Sequence, residues 1–120
     1  FSAALGHDTG ISWYIDQGGD DLYAGQMTYG RALDHGLSFF VEESGEDVYL
    51  ASRAVNHGVC DIHPNAPVDG LLRLGAFLDL GGGADAYLTG NAAADNDAVW
   101  YQDPNRGGRP LEKRGIGLDR

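Results

Sequence analysis

The sequence predicts an all-β protein, a short parallel β-helix or solenoid of three to four coils with about 26 residues per coil. Nineteen of its 120 residues are glycine, which suits many tight turns and few helices. Several short segments alternate between two kinds of side chain with the period of a β-strand. A turn rich in glycine and acid, followed by a tyrosine, recurs in IDQGGDDLY, VEESGEDVY and LDLGGGADAY.

The recurrence is an internal repeat. A shift of 26 residues places Trp13 on Phe39 and Tyr23 on Tyr49. A third copy follows, with one extra residue in its turn, and Tyr87 takes the tyrosine position. Because a repeat determines the architecture, we divide residues 1–108 into the units 1–26, 27–52, 53–90 and a degenerate 91–108.

Each unit is predicted to open with a strand that has one buried face. The predicted inward side chains of the first two units are Ile11, Trp13, Ile15, Leu37, Phe39 and Val41. A Gly/Asp turn and a short second strand follow. Stacked strands, about 4.8 Å apart, would bring equivalent aromatic residues together. The predicted stacks are Tyr23, Tyr49 and Tyr87, and Tyr14, Phe40 and Phe77.

Two segments depart from the repeat. Residues 60–70, CDIHPNAPVDG, contain two prolines among polar residues and are predicted to form a loop insertion at one corner. Residues 109–120, RPLEKRGIGLDR, are predicted to form a charged tail or a cap, since solenoids need capped ends. The stack is short and the chain opens at Phe1, so we expect other protein subunits or the rest of a longer chain to complete it.

The net charge of −10, from 18 acids and 8 bases, excludes nucleic acid as a natural partner because such a surface repels phosphates. No apolar run approaches the roughly 20 residues of a membrane span. The single cysteine, Cys60, excludes an internal disulfide framework.

Stacking would also align the acids of successive units. The aligned acids are Asp16, Glu42 and Asp79, then Asp20 and Glu46, then Asp21, Asp47 and Asp85. Calcium prefers carboxylates and carbonyls on flexible loops, so these residues are candidate calcium ligands. The spacing is neither that of an EF-hand nor that of a nine-residue calcium-binding β-roll. The alternative is that the aspartates cap their own turns and that the acidity aids solubility.

Two further constellations contain side chains with metal-binding or acid–base chemistry. His57, Cys60 and His63 have the spacing H-x2-C-x2-H, and these residue types bind zinc or copper; the alternative is an ordinary polar loop. Acid–imidazole pairs are the usual groups of general acid–base catalysis. The candidate pairs are His7–Asp8 and Asp34–His35.

The turns GGDDLY, SGEDVY and GGADAY resemble the tandem D-x-G-x-D-x-Y repeats of certain large, poorly characterised bacterial envelope or secreted proteins. The resemblance covers roughly residues 8–90. It implies a parallel β-helix and an extracellular or cell-envelope location, and it implies no catalytic residues. The long insertion before the third copy and the charged tail are departures from that pattern.

These observations favour a non-catalytic structural or interaction module, with calcium as a candidate stabilising ion. Residues that repeat serve stacking, whereas an active site needs a unique constellation. The alternative is a polysaccharide-active β-helix enzyme, a lyase or hydrolase, or a fragment of one. Its acids would line a groove with calcium and a basic residue such as Arg31 or Arg53, and carbohydrate would be its ligand.

Overall fold

A computed structural model describes residues 3–26, 29–51, 57–61, 72–88, 94–101 and 115–120. The regular secondary structure in these ranges is entirely β-strand. The strands are β1 (Leu5–Gly6), β2 (Ile11–Asp16), β3 (Leu22–Gly25), β4 (Arg31–Leu33), β5 (Leu37–Glu42), β6 (Val48–Ala51), β7 (Cys60–Asp61), β8 (Leu74–Asp79), β9 (Ala86–Leu88), β10 (Val99–Tyr101) and β11 (Gly115–Asp119). Within the described ranges, no helix has the length and apolar character needed to cross a membrane.

The strands form three sheets. The largest has five strands in the order β10-β11-β8-β5-β2, and the others have the orders β1-β4-β7 and β3-β6-β9. Every pairing is parallel except that of β10 with β11. The last residues of β2, β5, β8 and β11 are all acidic and lie in register.

The predicted solenoid is wrong, although the all-β class is confirmed. The described strands form a compact arrangement of one mixed five-stranded sheet and two three-stranded sheets, with extents of 41 × 24 × 21 Å. A solenoid stacks similar repeats so that each contacts only its neighbours. Here the separation of paired residues changes from 26 (Ile11 to Leu37) to 37 (Leu37 to Leu74) and then to 40 (Gly75 to Gly115). The antiparallel strand β10 then occupies one edge of the sheet.

The buried face of strands β2 and β5 is also the opposite of the predicted one. The side chains of Ile11, Trp13 and Ile15 point outward and are 65%, 61% and 56% exposed, whereas Phe40 is fully buried. Trp13 stacks on Phe39 along this outer face, with ring centroids 4.3 Å apart. Both alternating sets of side chains contain aromatic residues. The period of two therefore revealed the alternation without revealing which set faces the core.

Both predicted aromatic stacks are confirmed. Tyr23 and Tyr49 stack with centroids 5.1 Å apart, and Tyr49 and Tyr87 with centroids 5.0 Å apart. The second stack runs beside the first, with 5.1 Å from Tyr14 to Phe40 and 5.2 Å from Phe40 to Phe77. Rings of the two stacks meet edge to face, a favoured arrangement for aromatic pairs. The core of the molecule is therefore aromatic.

The last two strands complete this core. Strand β11 comes from the segment predicted to be a tail or cap, and β10 comes from the predicted degenerate repeat. Gly117 lies beside Phe77, and a methyl group on Gly117 would lie 1.8 Å from a ring carbon of Trp100. Glycine therefore leaves room for the Trp100 indole, which packs 5.6 Å from Phe77 and donates to the carbonyl of His57 at 3.1 Å.

Candidate functional site

The four acids that end β2, β5, β8 and β11 form the inner carboxylate row. Its members are Asp16, Glu42, Asp79 and Asp119. Three of them also cap the turn that follows, by accepting the main-chain N–H two residues on. The acceptor distances are 3.3 Å for Asp16, 2.8 Å for Glu42 and 3.2 Å for Asp79. The capping role that the sequence offered as an alternative is thus present.

A second set of acids precedes strands β3, β6 and β9, and we call it the turn aspartate row. Its members are Asp21, Asp47 and Asp85. The main-chain N–H of Asp21 donates to Asp47 at 2.8 Å, and that of Asp47 donates to Asp85 at 2.6 Å. The N–H of Asp85 continues the series to the side chain of Asn96 at 2.8 Å. These bonds join one turn to the next along the sheets.

Tyrosine hydroxyls bond the inner carboxylate row from the core side. Tyr49 donates to Asp79 at 2.6 Å, and Tyr87 donates to Asp119 at 2.5 Å. Each of these tyrosines thus bonds the acid at the end of the next strand in the five-stranded sheet. Burial, together with these carboxylates, raises the pKa of both hydroxyls, so the tyrosines stay neutral donors.

The two rows lie close enough to disturb each other electrostatically. Burial, reinforced by neighbouring aspartates, raises the pKa of Glu42 to about 7 and that of Asp85 to about 6. Burial likewise raises the pKa of Asp47 and Asp119. The more exposed Asp16 differs, because the N–H of Gly18 lowers its pKa. Glu42, Asp47, Asp85 and Asp119 therefore hold protons more strongly than ordinary acids do, or need a cation beside them.

The structure brings four of the eight candidate calcium ligands together. Glu42, Asp47 and Asp79 can each place an oxygen within 4.8 Å of the others, and we call them the Glu42 triplet. Asp79 and Asp85 form an adjoining group with Asp119, which the sequence analysis did not identify. The remaining candidates fall in no such group of the described residues. They are Asp16, Asp20, Asp21 and Glu46.

Asp119 carried a signal that could have identified it. Strand β11, GIGLD, matches β8, GAFLD, at its glycine and at its final Leu-Asp. The match was hidden because the phenylalanine is replaced by Gly117, whose space the indole of Trp100 fills from a different strand. A residue-by-residue alignment does not detect that the ring of Trp100, from another strand, takes the place of the missing phenylalanine.

The structure places His57 and Cys60 in the interior, and His63 lies outside the described residues. His57 packs between aromatic rings, 5.0 Å from Tyr29 and from Phe77, and burial lowers its pKa to about 3. Cys60 lies in β7, paired with Ala32 of β4, at the start of the predicted loop insertion. Neither residue belongs to a potential metal group in the described part of the chain. The transition-metal site remains a prediction.

The other candidate groups lie at a different corner. The two ring nitrogens of His7 approach Asp8 at 2.8 Å and Asp34 at 3.9 Å, on an exposed part of the surface. His35 is buried and accepts a hydrogen bond from Arg73 at 3.2 Å. Arg31 pairs with Asp61 at 2.7 Å. Arg53 lies outside the described residues.

Comparison of this chain with protein-family models, curated proteins and solved structures gives no match.

Proposed function

We propose that this chain is a non-catalytic structural and interaction module of an extracellular or cell-envelope protein. The observation that carries the proposal is the use made of its repeated acids. Asp47 and Asp85 accept main-chain N–H groups from neighbouring turns, and Asp79 accepts the hydroxyl of Tyr49. Side chains held in this way join strands inside the molecule, and Asp47 and Asp79 are each only 1% exposed. The resemblance of the turns to repeats of envelope and secreted proteins supports the location.

Strand β2 supports the interaction part of the proposal. It lies at the edge of the five-stranded sheet among the described strands, and it exposes Ile11, Trp13 and Ile15. An edge strand offers main-chain groups to another strand, and exposed apolar side chains add a contact surface. We propose that a strand of another protein subunit, or of the rest of a longer chain, pairs here.

Incubation with acidic and neutral polysaccharides, with and without calcium, tests the non-catalytic assignment. We expect neither new reducing ends nor unsaturated products. Product formation by the wild-type chain that is lost in Asp79→Asn would instead assign the carboxylates to a polysaccharide-active enzyme.

A further copy of this chain is the simplest partner for β2, and sedimentation velocity tests it. We expect concentration-dependent association that Ile15→Lys abolishes, because a charge on the outer face opposes apolar contact. The control is Glu43→Lys, which introduces the same side chain at an exposed position just beyond β5. A chain that remains monomeric at every concentration would contradict pairing between copies.

A further inference from the structure

The pairing of tyrosines with the inner carboxylate row breaks at one position. By strand register, Tyr23 corresponds to Tyr49, and Glu42 corresponds to Asp79. The hydroxyl of Tyr49 bonds Asp79, so Tyr23 would be expected to bond Glu42. Instead, the Tyr23 hydroxyl and Oε2 of Glu42 are both buried, and neither has a hydrogen-bond partner among the described residues. Glu42 is fully buried, with 0% of its surface exposed.

Oε2 of Glu42, the oxygen without a donor, belongs to a residue of the Glu42 triplet. One oxygen of each carboxylate in the triplet is already occupied by a main-chain N–H, from Ser44 for Glu42, Asp21 for Asp47 and Gly81 for Asp79. The second oxygens of Asp47 and Asp79 accept the Tyr49 hydroxyl at 3.4 Å and 2.6 Å, whereas Oε2 of Glu42 accepts no hydrogen bond from the described residues. One oxygen of each of the three residues lies within 4.8 Å of the others. The three side chains are between 0% and 1% exposed.

Two glycines keep this arrangement sterically possible. A methyl group on Gly81 would lie 2.9 Å from Oε2 of Glu42, and one on Gly45 would lie 3.1 Å from Oδ1 of Asp47. The first separation is shorter than real carbon–oxygen contacts, so any larger residue at 81 would displace the open oxygen or the neighbouring turn.

Among the described residues, no basic side chain forms an ion pair with the triplet. The ion pairs formed by the described residues join His7 to Asp8 and Asp34, and Arg31 to Asp61. Enclosed carboxylates repel each other strongly unless a proton or a cation lies between them.

We propose that Glu42, Asp47 and Asp79 bind one calcium ion. The donors are all carboxylate oxygens. These ligands suit hard cations such as calcium better than they suit zinc or copper. Calcium–oxygen distances are about 2.3–2.6 Å, so one ion reaches oxygens separated by up to about 4.8 Å. Magnesium needs shorter distances and a nearly ideal octahedron, which this fixed arrangement of three side chains suits less well. The proposal assigns a ligand to the molecule and does not depend on whether the module is catalytic.

Calorimetric titration of the chelator-treated chain with calcium chloride tests the site directly. We expect one calcium per chain at the triplet and a higher melting temperature when calcium is present. Terbium provides a second readout, because a lanthanide at Asp79 would lie next to the Tyr49 ring and emit on tyrosine excitation. Added calcium should displace it and quench that emission.

Glu42→Gln removes the charge of the open oxygen while keeping the size of the side chain. We expect this variant to bind calcium at least ten-fold more weakly and to lose tyrosine-sensitised terbium emission. It should remain folded, because it relieves repulsion in the calcium-free chain. The matched control is Glu43→Gln, the same change at the adjacent exposed residue, which should bind as the wild type does.

Asp85→Asn tests whether calcium binding depends on the triplet or on the neighbouring group of Asp79, Asp85 and Asp119. Asparagine keeps the acceptor for the N–H of Asp47, as Asn96 does for Asp85, and the triplet is untouched, so calcium binding should persist. Three results would overturn the proposal: no heat and no melting shift for the wild type in millimolar calcium, wild-type affinity in Glu42→Gln, or binding abolished by Asp85→Asn. The wild-type titration decides even if a variant fails to fold.

Discussion

The Tyr49–Asp79 pair and the Tyr23–Glu42 pair occupy equivalent places in the sheets and differ in outcome. Tyr49 donates to Asp79 at 2.6 Å, whereas the hydroxyl of Tyr23 and Oε2 of Glu42 each have no hydrogen-bond partner among the described residues. The strands around both pairs are in the same register. We attribute the difference to the extra methylene of glutamate, which changes the position of the carboxylate relative to the ring stack. On this hypothesis, the length of the acid determines whether a tyrosine bonds the carboxylate (a closed pair) or leaves it without a donor (an open pair).

Removing the two hydroxyls should give unequal results, and this is the largest effect we expect. Tyr49→Phe leaves a buried oxygen of Asp79 without its donor and should lower the free energy of unfolding by about 1.5–3 kcal/mol. Tyr23→Phe removes a hydroxyl that has no partner and should change it by about 0.5 kcal/mol or less. Urea unfolding in calcium-free buffer measures both. Equal losses for the two variants would show that the pairs are energetically equivalent and that the comparison fails.

The ring stacks and the alignment of acids were predictable because they need only equivalent residues at equivalent places. Tyr23, Tyr49 and Tyr87 lie in register, as the repeat indicates. The missing bond between Tyr23 and Glu42 was not predictable in this way, because an alignment treats Glu42 and Asp79 as similar acids. The glutamate side chain is longer than the aspartate side chain by one carbon–carbon bond. This difference in length matters only where no water can fill the space between the carboxylate and the tyrosine.

The inner and outer faces of β2 could not be assigned from the sequence. Its alternate sets are Ile11, Trp13 and Ile15 against Ser12, Tyr14 and Asp16, and hydrophobicity favours the first set for the interior. The structure places Tyr14 in the core because its ring continues the stack of Phe40, and because tyrosine hydroxyls and turn amides satisfy the acids that share its face. The acids on this face are compatible with the core only because tyrosine hydroxyls and turn amides bond them. The sequence of a single strand does not show those partners.

The pH dependence of stability tests the Glu42 carboxylate of the open pair and should be the next largest effect, on the order of 1 kcal/mol. Burial raises the pKa of Glu42 from 4.5 to about 7, so the calcium-free folded chain keeps a proton that the unfolded chain releases. Its contribution to stability is complete below pH 4.5 and is lost as the pH rises through 7. Asp85 acts in the same direction, through a pKa raised from 3.8 to about 6.

His57 has the opposite sign, since burial lowers its pKa from 6.5 to about 3 and it destabilises the fold as the pH falls below 6.5. Comparing the wild type with Glu42→Gln cancels this term. Urea unfolding in chelator from pH 4.5 to 7.5 should show a difference between the two proteins that grows with pH, at the expense of the wild type. Parallel profiles would mean that Glu42 does not titrate within the fold.

Shortening the acid should convert the open pair into a closed one. In Glu42→Asp the carboxylate would lie at the position that Asp79 occupies relative to Tyr49, and Tyr23 would gain an acceptor. A double-mutant cycle with Tyr23→Phe isolates that new bond from the cost of the lost methylene, because the packing change appears in both arms. We expect a coupling energy of about 0.5–1.5 kcal/mol, close to that of one buried hydrogen bond. A coupling near zero would show that backbone position, rather than side-chain length, keeps Tyr23 and Glu42 apart.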